Sequence, residues 1–123
     1  MITRTTAAEF REFKKWVKHY VRLLGVDGLY DVRVEHVATP TPSGVSASCA
    51  VNQRSRWLII SLYKWLDHDI VMPSMRSLAA HESCHGLLAD MNDAAESRFV
   101  THDQIDRIEE RIVCVLERVL AKV

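Results

Sequence analysis

Apolar residues return at three- and four-residue spacing through the first part of the chain, at Phe10, Phe13, Val17, Tyr20, Val21 and Leu24. That period predicts an amphipathic helix over about 6 to 24, opened by Thr6 and Glu9 as a capping box. Gly25 and Gly28 punctuate its end, and Tyr30 to Val37 then alternates apolar with polar in the manner of a half-buried strand. Thr39 to Gly44, with two prolines and a glycine, reads as a loop. Val45 to Val51 and Trp57 to Tyr63 read as two strands of a hairpin around the polar connection Asn52 to Arg56. Pro73 suits the first turn of a helix running to about Asp90 or Met91, and beyond the polar stretch Asn92 to Thr101 a last helix is expected over about His102 to Leu120. Strands grouped between helices predict an α+β fold with a small, three-stranded, mainly antiparallel sheet.

Composition narrows the function classes. At 123 residues, 48% apolar and 26% charged, the chain has the size and core-forming capacity of one domain over residues 1–123. Sixteen Lys and Arg balance sixteen Asp and Glu, which argues against a partner held by bulk charge, whether nucleic acid or an anionic membrane. No stretch approaches the roughly 20 apolar residues that span a bilayer. Met1 to Thr6 runs straight into a charged segment without the pattern of a secretory leader, and the three cysteines show no CxxC spacing, so a reducing cytoplasm is the expected setting.

The chemistry concentrates in His81-Glu82-Ser83-Cys84-His85, an H-E-x-x-H string inside the expected helix. At about 100° per residue, positions four apart share one helix face, so the imidazoles of His81 and His85 can converge on one tetrahedral Zn²⁺. Glu82 is then positioned to act as general base toward a water activated at the ion. A catalytic zinc takes a third protein ligand. Along the last helix Ile105, Ile108, Ile112, Leu116 and Val119 form an apolar stripe, and Glu109 projects into it while Glu110 projects away. A carboxylate among core positions needs a cation, which makes Glu109 the first candidate and Glu110 the substitute. Asp90 and Asp93 fit better as helix-end residues or as acceptors for a ligand imidazole.

On the H-E-x-x-H string and the later Glu109-Glu110, the chain resembles the zincin metallopeptidases of the glutamate-ligand group, in a minimal form similar to the ImmA/IrrE-like and SprT-like domains of bacteria and their phages. The resemblance implies a zinc peptidase with His81, His85 and Glu109 as ligands, Glu82 as base, a protein or peptide substrate, and Trp57 to Tyr63 as the sheet edge on which an extended polypeptide lies. The chain departs from the gluzincin pattern at Val113, where an aspartate is usual, and from the ImmA/IrrE pattern at Ile112-Val113-Cys114. Leu88 and Met91 stand where the metzincin motif has Gly and His. The alternative is a noncatalytic binding or scaffold module that keeps the metal for stability. Cys84, Cys49 and Cys114 read as inert buried thiols, and His36, His68, His102 and Tyr63 as structural residues.

Overall fold

The computed structural model describes residues 2–38, 45–67 and 74–121, with the side chains of residues 2, 3 and 67 left aside. Thr6 caps the first helix α1 (Ala7–Leu23) through the capping box with Glu9, and Phe13, Val17 and Val21 form its buried face. A short 3-10 turn over Val26–Gly28 then leads into a strand over Asp31–Val37. Two three-residue strands escaped the hydrophobic pattern: Ile2–Arg4, which is β1, and Trp65–Asp67, which pairs with it antiparallel. In chain order the remaining strands are β2 (Asp31–Val37), β3 (Ala47–Asn52), β4 (Trp57–Tyr63) and β5 (Trp65–Asp67).

The three-stranded sheet is mixed rather than mainly antiparallel. Its order is β2-β4-β3, with β2 parallel to β4 and β3 antiparallel to β4. The hairpin of β3 and β4 is therefore as expected, but β4 is the central strand, so the expectation that Trp57 to Tyr63 forms the sheet edge is corrected. Backbone groups of β4 pair on both sides, with Ile60 facing Val34 of β2 and Cys49 of β3. The edge on that side is β3. Centrality also explains why Leu58, Ile60 and Leu62 of β4 are fully buried.

Helix α2 (Met75–Glu96) starts at an N-cap, Ser74, and runs beyond Asp90 through the polar residues that were expected to lie in a loop. Pro73, His68 and the Thr39 to Gly44 loop lie outside the described residues. Helix α3 (His102–Leu120) carries a second capping box, Thr101 with Gln104. The core joins α1, the sheet, and the inner faces of α2 and α3 through residues such as Phe13, Leu58, Leu87 and Ile112. At Gly86 α2 comes close enough to β4 that an added Cβ would sit 2.8 Å from Leu58 Cδ2 and 3.1 Å from Val26 Cγ1. No helix among the described residues is long and apolar enough to cross a membrane.

Near the other end of the sheet, Thr5 ties β1 to the main strands. Its hydroxyl donates to the Tyr63 carbonyl at 2.7 Å and so must accept from His36 Nε2, also at 2.7 Å. The ring of His36 thus carries its proton on Nε2 and stacks on Phe10. Burial, then Lys64 and Arg4, hold its pKa below the usual imidazole value, which favours this neutral form.

Candidate metal centre

The inner face of α2 carries Leu78, Ala79, Glu82, Ser83, Gly86 and Leu87, all buried, while His81, Cys84, His85 and Leu88 are exposed on its outer flank. One helical turn brings the imidazoles together: the rings meet edge to face, and the two Nε2 atoms lie 3.2 Å apart. Two nitrogens this far apart, each about 2.0–2.1 Å from one zinc ion, subtend close to 100° at it, near the tetrahedral angle. The same 3.2 Å separation is also a hydrogen-bond distance between the two rings.

Glu82 is buried in the wall of a groove of about 1280 Å³ between α2 and β3. The groove is lined by His81, Glu82 and His85 on the helix and by Ala47, Cys49 and Val51 on the strand, the alternate positions of β3 that face the helix. Burial pushes the Glu82 carboxyl above the ordinary carboxylate range, and the neighbouring imidazoles of His81 and His85 pull it partly back. Across the groove, burial and then the charge of Glu82 push the Cys49 thiol up to about 12. A carboxylate set in a wall beside two imidazoles, open to a groove, has the placement that a proton acceptor needs.

Glu109 does not join this group. It is exposed on α3, and the groove is lined without it. The physical reason is helix phase: α3 buries Ile112 and Val115, with Ile108 and Val119 partly buried, whereas Ile105 and Leu116 are 42% and 45% exposed. The buried stripe is rotated by about 30° from the expected one of Ile105, Ile108, Ile112, Leu116 and Val119, enough to move Glu109 onto the solvent flank. Glu110 is exposed as well, with the Cys114 thiol 3.8 Å from its carboxylate. Among the described residues, no three His, Cys, Asp or Glu side chains come together as a metal-holding group.

Asp90 has a different task from the one its sequence position suggests. It accepts from Arg56 at 2.9 Å, from Arg111 at 2.9 Å and from the Tyr30 hydroxyl. Arg56 stands in the β3–β4 turn with a left-handed backbone, φ 58°, a conformation that costs a non-glycine residue about 1–2 kcal/mol. Its guanidinium offsets that cost by stacking over Tyr30 and binding Gln53, Asp90 and the Leu29 carbonyl. The sequence offered only a polar connection here, with no sign that its last residue reaches α2. Of the other histidines, His102 pairs with Asp106 at 3.3 Å near the start of α3, away from the groove residues. Tyr63 shares a 3.3 Å hydroxyl contact with Ser48. Cys84 and Cys114 are exposed, contrary to the expectation of buried thiols, and Cys49 is half-buried. Compared with protein-family models, with curated proteins and with solved structures, the chain matches none.

Proposed function

We propose that the chain is a zinc-dependent peptidase in which His81 and His85 hold the ion and Glu82 is the general base. The observation that carries this reading is the 3.2 Å approach of the two Nε2 atoms beside a buried carboxylate at the wall of an open groove. When bound, Zn²⁺ supplies Lewis acidity, which can lower the pKa of a water to about 7 and polarise a carbonyl oxygen. Glu82 accepts the proton of the attacking water and returns it to the departing amine. The polypeptide lies along β3, the groove-side edge strand of the sheet, pairing with the backbone groups that β4 does not use. Leu88 and Met91, 42% and 38% exposed on the groove flank of α2, offer apolar contact to substrate side chains. Glu109 has no role in this proposal.

A two-imidazole pair is one protein ligand short of the usual catalytic zinc site. That observation favours a second reading, a noncatalytic module that binds metal and a partner without turnover. Glu82→Gln separates the two. With zinc supplied and an unfolded protein as substrate, a peptidase loses hydrolysis by at least about 10²-fold in this variant while retaining the metal. Absence of hydrolysis in the zinc-loaded wild type, or equal hydrolysis by Glu82→Gln, would overturn the peptidase reading.

A further inference from the structure

Beside the groove, and sharing Gln53 and Asp93 with it, lies a second concavity of about 570 Å³ between the end of α2, the β3–β4 turn and α3. We propose that this concavity is a carboxylate-binding subsite, and that it reads an acidic group on the polypeptide lying in the groove. Its placement as part of a substrate track rests on the peptidase reading, whereas its affinity for a carboxylate does not.

Three guanidinium groups, from Arg56, Arg107 and Arg111, line the concavity, but they are not equivalent. Arg56 is fully engaged with Asp90, Gln53 and the Leu29 carbonyl. Arg111 gives one amino group to Asp90 at 2.9 Å, while its Nε is buried and has no hydrogen-bond partner among the described residues. Among the described residues Arg107 makes only a long 3.4 Å bond from Nε to the Asp103 carbonyl. Residues 107 and 111 are one turn apart on α3 and both line the concavity, so the amino groups of Arg107 and the Arg111 amino group not spent on Asp90 are the donors left for a ligand there. The carboxylates present do not fill it: Asp90 is already taken by two arginines and Tyr30, and Asp93 is exposed where the two concavities join.

A planar carboxylate matches the amino groups that two neighbouring guanidinium forks present. Phe99, 85% exposed at the rim, gives the ligand's apolar part a wall to lie against. Along α2, His85 and Asp93 are eight residues apart, about 12 Å at the helical rise, which an extended peptide spans in three or four residues. The ligand is therefore an acidic side chain or a chain-terminal carboxylate about that far from the bond cleaved.

The experiment is a titration of the whole chain at low ionic strength, followed through the Nε–Hε resonances of Arg107 and Arg111, with melting temperature recorded alongside. The probes are acetyl-tetraalanine with a free carboxylate, acetyl-Ala-Ala-Glu-Ala-amide, the neutral tetraalanine amide, and inorganic phosphate. A carboxylate subsite binds at least one acidic peptide about tenfold or more tightly than the neutral amide, and which acidic peptide does so identifies the source of the carboxylate. Arg107→Gln, which leaves the Asp90 network intact, lowers that affinity about tenfold without shifting the melting temperature. Equal binding of the neutral amide, tighter binding of phosphate than of either acidic peptide, or unchanged affinity in Arg107→Gln would overturn the proposal. Carboxylate binding by a chain that cleaves no peptide counts against the peptidase reading alone, and cleavage without such binding counts against the subsite alone.

Discussion

Arg111 of α3 donates to Asp90 of α2 at 2.9 Å, and this ion pair fastens the last helix to the end of the groove. Burial alone would raise the Asp90 carboxyl; hydrogen bonds from Arg56, Tyr30 and Arg111 outweigh it and hold the group well below the usual carboxylate range. A carboxyl whose pKa falls on folding contributes stability that is present above its unfolded value, about 3.9, and is lost as pH drops toward the folded value. The wild type should therefore lose stability progressively below about pH 5, and Asp90→Asn should flatten that acid limb. At neutral pH we expect the substitution to cost about 2–3 kcal/mol in urea unfolding, less than for a fully buried pair because Arg56 and Arg111 remain 41% and 34% exposed. An Asp90→Asn protein with unchanged acid sensitivity would show that the network does not set it.

Metal binding by the imidazole pair is testable without any substrate. Zinc at about 100 times its dissociation constant stabilises a folded protein by about 2.7 kcal/mol, a rise of several degrees in melting temperature. The rise should appear in the wild type and vanish in His81→Ala and in His85→Ala. Glu109→Ala should keep it, because that carboxylate is exposed on α3 and outside the groove. Loss of zinc stabilisation in Glu109→Ala would instead return Glu109 to the ligand set.

The first capping box and the helix carrying H-E-x-x-H were legible in the sequence because each is written in side chains close along the chain, Thr6 with Glu9 and His81 with His85; the second box, Thr101 with Gln104, is written in the same way but was passed over as part of a polar stretch. The position of β4 was not. A strand's alternation says which residues face the core, yet it does not say which neighbours the strand pairs with, and the parallel match of Val34 to Ile60 depends on how the chain returns over the sheet. Nor was the phase of α3. Leu116 and Ile105 are as apolar as Ile112, so hydrophobicity alone cannot tell a buried stripe from an apolar flank left in solvent, and Glu109 was carried inward with them. Cys49 is an intermediate case: its alternate spacing with Ala47 and Val51 marks a single face of β3, and the fold turns that face toward Glu82.

The cysteines should differ in reactivity. Cys49 has its thiol pushed up to about 12, first by burial and then by Glu82, so at pH 8 it stands overwhelmingly as the unreactive thiol. Cys84 and Cys114 are both exposed, although burial around the sulfur also raises the Cys84 thiol. Timed alkylation at pH 8 with peptide mass spectrometry should label Cys114 first, Cys84 next and Cys49 only on unfolding. Labelling of Cys49 in the native protein at the rate of Cys114 would show that the groove wall is open to solvent there.

Gly86, next to His85, sets how close α2 can come to the sheet. Alanine there gains about 1 kcal/mol of helix propensity, but its methyl meets Leu58 Cδ2 at 2.8 Å and Val26 Cγ1 at 3.1 Å, and both of those fully buried side chains must shift within a close-packed core. Overpacking of about 1–3 kcal/mol should outweigh the gain, so Gly86→Ala is expected to be mildly destabilising in urea unfolding and Gly86→Val, bulkier and without the propensity gain, clearly more so. The two imidazoles belong to one helical turn and move with it as a unit, so zinc affinity should survive in Gly86→Ala. The groove, by contrast, is bounded by two separate elements, and a helix lifted off β4 changes its width against β3; peptide hydrolysis should fall more than metal binding does. If Gly86→Ala instead raised the urea midpoint, the contact with Leu58 would be slack, and the spacing between α2 and the sheet would have to be set elsewhere.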